Sequence, residues 1–173
     1  MIADFTQRGP MPDLGHHLSH PIDLVEDIAQ HHAWEFDRIT RDDIAMVVEG
    51  LWRSYTVTLS WSPEDEALRL FCTFEMEPPP ARLAALYEVL NLINDRCWAG
   101  SFSWWPDHQM MAFKYALFLA GGQQPCTAQV DMMIATAISN AERYYPALQM
   151  ATWGEKTPSE ALRTAITEVH GHA

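Results

Sequence analysis

The chain has 173 residues, and 11 Lys+Arg against 23 Asp+Glu give it a formal net charge of −12. An acidic excess of this size repels phosphate, which argues against nucleic-acid binding and against docking on an anionic membrane. A content of 48% hydrophobic and 20% charged residues is typical of a globular chain, and the length fits one domain. The three cysteines form neither a disulfide framework nor a metal-binding CxxC pair.

Residues 1–19 lack the apolar segment of a secretory signal, because Asp4, Arg8 and Asp13 interrupt them. Their glycines and prolines predict a flexible N-terminal arm, followed by a single domain over residues 20–173. The sequence contains no apolar stretch long enough to span a membrane. We therefore expect a cytoplasmic protein of a bacterial type, with its thiols reduced.

The first half of the domain is predicted to be one helix followed by strands. Pro21 is suited to the first turn of a helix that ends near His32. Residues 35–39 and 44–49 are plausible short strands. Residues 54–61 alternate apolar and hydroxyl side chains, which is typical of a half-buried strand, and residues 68–74 return beside them as an antiparallel partner.

The prolines at 78–80 stop the sheet and open a long helix that is predicted to run to about Trp98. Its apolar residues lie on two neighbouring stripes, an arc wide enough to need two covering surfaces, such as the sheet and a partner. We therefore expect a homodimer through this helix or through a sheet edge. The residues expected at the dimer interface are Leu86, Leu90, Ile93 and Asn94.

A second hairpin is predicted over residues 102–105 and 110–119, and another helix begins at Thr127. Pro146 is expected to kink or end that helix, because proline removes an amide donor and clashes with the preceding turn. A capping box at residues 157–160 starts a final helix. The order α-β-β-β-α-β-β-α-α predicts an α+β fold with a twisted antiparallel sheet of about five strands and flanking helices.

No catalytic signature is present in the sequence. Cys97 and His108 could act as nucleophile and base, but Cys97 lies on an apolar helical stripe, where cysteine behaves as a small hydrophobe. The eight histidines are matched by no cluster of cysteines or carboxylates, so no metal site and no cofactor are predicted. One alternative stays open: a small enzyme or ligand-binding domain with a pocket between sheet and helices, using Cys97, His108 or a carboxylate.

The aromatic residues are the better indication of function, since the chain has seven tryptophans and nine methionines. Both residue types are enriched at interface cores, although a tryptophan-rich core explains them equally well. Trp104 and Trp105 are adjacent and should point to opposite faces of a strand. A partner could add a strand to a sheet edge or place a helix in an apolar groove. The residues expected to contact it are Trp52, Tyr55, Trp61, Trp104 and Trp105.

Three sequence strings carry a family resemblance: NLINDRCWAG at residues 91–100, WRSY at 52–55 and ERYYPA at 142–147. With these strings the sequence resembles the YbjN family of bacterial sensory transduction regulators over roughly residues 20–170. The resemblance implies a fold similar to that of type III secretion chaperones, which dimerise. It also implies a non-enzymatic, chaperone-like or regulatory role in protein binding, and it identifies no catalytic residues.

Overall fold

The computed structural model describes residues 20–170, so the predicted arm at residues 1–19 lies outside the described residues. No helix within that described range is long and apolar enough to cross a membrane. The helices are α1 (Pro21–His31), α2 (Leu83–Asn94), α3 (Thr127–Thr152) and α4 (Pro158–His170). The strands are β1 (Glu35–Arg38), β2 (Asp43–Glu49), β3 (Ser54–Ser62), β4 (Ala67–Glu75), β5 (Ser101–Trp105) and β6 (Met110–Phe118).

The six strands form one antiparallel sheet in the order β1-β2-β3-β4-β6-β5. The predicted α+β class is confirmed, and the sheet has six strands where about five were predicted, because four strands precede α2 and the predicted order counts three. The segment predicted as a short strand at residues 35–39 forms the edge strand β1, which pairs with β2 through a register that places Phe36 opposite Met46.

One face of the sheet is covered by helices, with α1 over β2 and β3 and α3 over β4 and β6. The side chains on this face follow the alternation predicted from the sequence, as Val57, Leu70 and Phe113 illustrate by being fully buried. The opposite face has no helix among the described residues and is mainly polar, with Thr56, Ser60 and other hydroxyl residues along it. The helix α4 packs on α2 and α3 and adds a third layer.

The helix α1 begins as its sequence requires, with Pro21 in the first turn. The imidazole of His20 accepts a hydrogen bond from the backbone N–H of Ile22, and the carboxylate of Asp23 accepts one from the N–H of His20. This reciprocal capping satisfies amide donors that the first turn leaves without a helical partner.

The helix α2 is shorter than predicted, because it starts after a one-turn 3-10 helix (Pro80–Arg82) and ends at Asn94 instead of Trp98. The side chain of Asn94 donates to the carbonyl of Phe102 (3.1 Å) and accepts from its N–H (2.7 Å). Phe102 belongs to the edge strand β5, so Asn94 takes the place that a neighbouring strand would occupy. At Gly100, φ is +82°, and a Cβ would lie 2.5 Å from the ring of Phe113.

The residues expected at a dimer interface on α2 lie in the protein's own core or are bonded within it. Leu86 and Ile93 are fully buried in the protein's own core, Leu90 is 6% exposed, and Asn94 is bonded to β5. One stripe of the helix therefore already has its cover, and a second copy could contact only exposed side chains such as Tyr87. The homodimer itself stays a prediction.

The helix α3 continues through Pro146 and ends at Thr152, so of the two predicted outcomes, a kink or an end at the proline, the end is wrong. The residues that follow the proline are held by tertiary contacts: Ala147, Leu148 and Ala151 are fully buried, and Arg82 donates to the carbonyl of Ala151 at 2.7 Å. Packing of this last part of the helix outweighs the one hydrogen bond that proline removes.

We expect the substitution Asn94→Ala to lower the free energy of unfolding by about 1–2 kcal/mol, because it leaves the backbone polar groups of Phe102 unpaired beside α2. Asn91→Ala is the matched control, since Asn91 is exposed one turn earlier on the same helix. Urea denaturation of both variants measures the difference. Equal stability of the two variants would show that Asn94 does not hold the β5 edge.

Candidate functional site

Trp104 and Trp105 point to opposite faces of β5, as their adjacency predicts. Trp104 is half-buried on the helix side, where its indole N–H donates to the carbonyl of Met76 (3.2 Å) and its ring contacts Tyr87. Trp105 lies on the open face, where its ring is 5.8 Å from Phe71. Trp104 is thus held by contacts on the helix side, and Trp105 is partly buried on the open face.

The loop between β2 and β3 is fastened to α3 by one carboxylate, an arrangement that we call the Glu142 clamp. Glu142 accepts hydrogen bonds from the backbone N–H groups of Leu51 (2.9 Å) and Trp52 (3.3 Å) and from the hydroxyl of Tyr55 (2.6 Å). Gly50 makes this approach possible, because a Cβ there would collide with the Glu142 carboxylate and with the ring of Tyr55.

Tyr55 is fully buried, so in this structure it offers no surface to a partner and instead supports the clamp. Burial raises the pKa of its hydroxyl, and the hydrogen bond to Glu142 raises it further. The neutral phenol is therefore a permanent donor to the carboxylate. Trp61 is half-buried against the core, which leaves Trp52 as the exposed member of this part of the predicted set.

Arg53 fills the space next to the clamp. Its guanidinium lies 5.5 Å from the ring centre of Phe74 and 5.9 Å from that of Tyr145, and it donates to the carbonyl of Glu75 (2.9 Å). Tyr145 also stacks with Trp52 at 6.4 Å. Two strings that carry the family resemblance, WRSY and ERYYPA, therefore meet in space and fasten the β2–β3 loop to α3.

An apolar groove of about 430 Å³ lies along the flank of α3 that precedes the clamp, between that helix and the end of α1, and we call it the α3 groove. Its lining residues are His32, Trp34, Val48, Asp131, Ile134, Ala135, Ile138 and Ser139. At one end, His32 stacks on Trp34 with ring centres 4.4 Å apart, and its Nε2 is 3.5 Å from a carboxylate oxygen of Asp131.

The Glu142 clamp lies beyond the groove along the same helix. Ile138, Glu142 and Tyr145 are four and three residues apart, so they follow one face of α3. The clamp places Leu51 (85% exposed) and Trp52 (52% exposed) at the end of this face. Large apolar side chains that a fold holds in fixed, exposed positions beside an apolar groove are typical of a protein-contact surface.

A second apolar patch lies on the open face of the sheet. The rings of Phe71 on β4 and Trp105 on β5 contact each other above the central strand β6. Ala112 of β6 faces the open side and is nevertheless fully buried. The ring of His108 lies 6.5 Å from that of Trp105. The patch is shallow and is surrounded by hydroxyl residues. It contains Trp105 from the predicted set.

The structure does not bring together the residues of the catalytic alternative. Cys97 lies on the helix side of the sheet, where its thiol contacts the side-chain oxygen of Asn140, whereas His108 lies on the open side against Trp105. Burial raises the pKa of the Cys97 thiol, which is the opposite of what a nucleophile needs. Within residues 20–170, no group of three His, Cys, Asp or Glu residues could hold a metal ion.

The α3 groove is not predicted from the sequence, because its lining comes from three separate parts of the chain. Trp34 is one of the seven tryptophans, and Ile134 and Ile138 have the spacing of a single apolar stripe on α3. The available signal was the width of that stripe: residues 130–145 place apolar side chains over more of the helix than one covering surface needs.

We expect Glu142→Ala to lower the free energy of unfolding by about 2–3 kcal/mol, because hydrogen bonds to a charged acceptor are among the stronger ones. The control is Glu88→Ala on α2, where an exposed glutamate is replaced by the same residue. Thermal or urea unfolding compares the two, and a loss at Glu88 as large as at Glu142 would contradict the clamp.

Thiol modification by a chromogenic disulfide reagent tests the catalytic alternative. We expect the exposed Cys126 to react first and Cys97 more slowly, with a rate that rises with pH as its thiolate forms. Cys72 should react only on unfolding, because its side chain is fully buried and burial raises its pKa to about 12. Faster reaction at Cys97 than at Cys126 near neutral pH would instead favour an activated nucleophile.

The YbjN family model, described as "Putative bacterial sensory transduction regulator", matches residues 21–150. Among solved structures, the chain is similar to a crystal structure of YbjN from E. coli, described as a "putative transcription regulator", with a TM-score of 0.48 and 12% identity. That match covers 87% of this chain and 92% of the other. No curated protein matches this chain.

Proposed function

This chain belongs to the YbjN family, whose model spans most of its length, and we propose that it is a non-enzymatic, protein-binding regulator or chaperone-like module of the bacterial cytoplasm. The proposed binding site is the α3 groove together with Leu51 and Trp52. A regulator acts by changing its affinity for another molecule, and this surface has the apolar lining and aromatic rim that protein segments bind.

The observation that carries this proposal is the exposure of Leu51 and Trp52 in a loop that the fold immobilises. In a loop with no binding role, such apolar side chains could turn inward, and polar residues could occupy these positions instead. Here three hydrogen bonds to Glu142 hold the loop with both side chains outward. The conformational entropy of this loop is therefore lost on folding, and a partner does not have to order the loop when it binds.

The alternative of a small enzyme is less well supported. Its candidate groups, Cys97 and His108, lie on opposite sides of the sheet. The α3 groove contains His32 and Asp131 as its only ionisable side chains among the described residues, and both are at one end of an otherwise apolar surface. A partly open groove of this kind suits side chains of another protein better than a reacting polar substrate.

The test is site-specific photo-crosslinking in the native bacterial cytoplasm. A photoreactive residue at Ser139, which is exposed in the groove, should cross-link one defined protein. The matched control places the same residue at Ala84, which is exposed on α2 away from the groove. Identical products from both positions would contradict the proposed site. So would the absence of a product from Ser139 if a site on the open sheet face, such as Ser103, gives a defined product.

A further inference from the structure

We propose that the open face of the sheet is the contact between two copies of this chain, related by a twofold axis. This inference goes beyond the proposed function, because it concerns the face opposite to the α3 groove and leaves the grooves of both copies accessible. Three observations carry it: the two halves of the face differ in charge, their shapes are complementary, and one symmetry operation brings both features together.

The open face carries opposite charges in its two halves. Over residues 35–49, the side chains that β1 and β2 present on this face include four acids and no base: Glu35, Asp37, Asp43 and Glu49. The strands β4 and β6 present Arg69, Lys114 and one acid, Glu75. Within residues 20–170, no carboxylate forms an ion pair with Lys114. A chain with a net charge of −12 repels its own copies, so a contact between copies requires a face on which unlike charges meet.

The register of the sheet shows how two copies bring these charges together. The strands β1 and β6 each lie two strands from β3. A twofold axis parallel to β3 and above it therefore places β1 of one copy against β6 of the other, and β2 against β4. Asp37 and Lys114 occupy the same cross-strand row, as do Asp43 and Arg69. The same operation thus sets Lys114 against Asp37 and Arg69 against Asp43, which is the self-complementary contact of a twofold dimer.

The facing halves also have complementary shapes. A hollow of about 170 Å³ lies over β1 and β2, and we call it the β1–β2 hollow. Its lining includes Glu35, Asp37, Ala45, Val47 and Thr56. The larger side chains lie on the other half, where Phe71 shares a row with Ala45 and faces it under the same operation. Lys114 can then lay its apolar stem across the β1–β2 hollow and place its ammonium group beside the acids of β1.

The size of the face suits a dimer. Six strands about 4.8 Å apart and seven residues at about 3.3 Å each measure roughly 24 by 23 Å, so two such faces bury on the order of 1,100 Å², near the lower end for specific protein contacts. At the rim, Glu49 of one copy comes near Glu75 of the other, but both are exposed, so water and salt screen their repulsion. We therefore expect a dimer that dissociates on dilution.

The experiment exchanges charges between the two halves and measures the dimer dissociation constant by sedimentation over a range of protein concentrations. Lys114→Glu sets two acids against each other in both symmetric contacts, and Asp37→Lys sets two bases against each other. Each single variant should raise the dissociation constant at least tenfold. An equimolar mixture of the two variants should form heterodimers as stable as the dimer of the unchanged chain, because both contacts again join an acid to a base.

The matched control is Lys156→Glu, which changes the net charge equally at an exposed lysine between α3 and α4. It should change the dissociation constant less than twofold, and circular dichroism establishes that every variant is folded. A monomer at every concentration, or single variants that dimerise as well as the control, would overturn the proposal. So would a mixture of the two folded variants that fails to associate.

Carbodiimide coupling gives a second readout on the unchanged chain. In a mixture of isotopically light and heavy chains, Lys114 of one copy should couple to Asp37 or Glu35 of the other and give peptides of mixed isotope. A dimer that survives Lys114→Glu but is lost in Tyr87→Glu would place the contact on α2 and overturn the proposal. None of these outcomes concerns the α3 groove, so the proposed function is tested separately by cross-linking at Ser139.

Discussion

The hydrogen bonds to Glu142 are the interaction on which the rest of this structure depends. A single carboxylate on the inner helix joins the loop between β2 and β3 to α3 and gives the buried phenol of Tyr55 its acceptor. Gly50 and the guanidinium of Arg53 complete the arrangement, one by leaving space and the other by packing on two aromatic rings. Removing the carboxylate would release the loop and the exposed side chains of Leu51 and Trp52 that it carries.

The sequence strings that carry the family resemblance have a structural role in this arrangement. WRSY and ERYYPA are far apart in the chain and contain residues associated with catalysis elsewhere, yet their side chains bond to each other instead of surrounding a cavity. In the third string, Asn94 ends α2 and pairs with the backbone of β5. All three strings thus hold elements of the fold together.

Much of the fold follows from local patterns, whereas the candidate site does not. Alternation in β3, β4 and β6 and the caps of α1 and α4 are short-range signals, and these elements were predicted correctly. The failures have long-range causes: Pro146 is tolerated because α4 and Arg82 hold the end of α3, and α2 stops early because Asn94 finds a partner on β5. Leu86, Leu90 and Ile93, predicted for a dimer contact, are buried in the protein's own core, because an apolar stripe on a helix does not reveal which surface covers it. The α3 groove is lined by residues of the connection between α1 and β1, of β2 and of α3, and no single stretch of sequence could reveal it.

The third layer has a consequence for how α3 responds to a load. This helix lies between the sheet and α4, with its end anchored through Arg82 and its middle through Glu142. Sliding it along its axis would break both anchors at once. The floor of the α3 groove is therefore stiff, and conformational adjustment on binding falls to the partner and to the side chains of the rim. Such a surface acts as a template: a flexible segment that binds it takes up an ordered conformation, while the surface itself keeps the shape it had before binding.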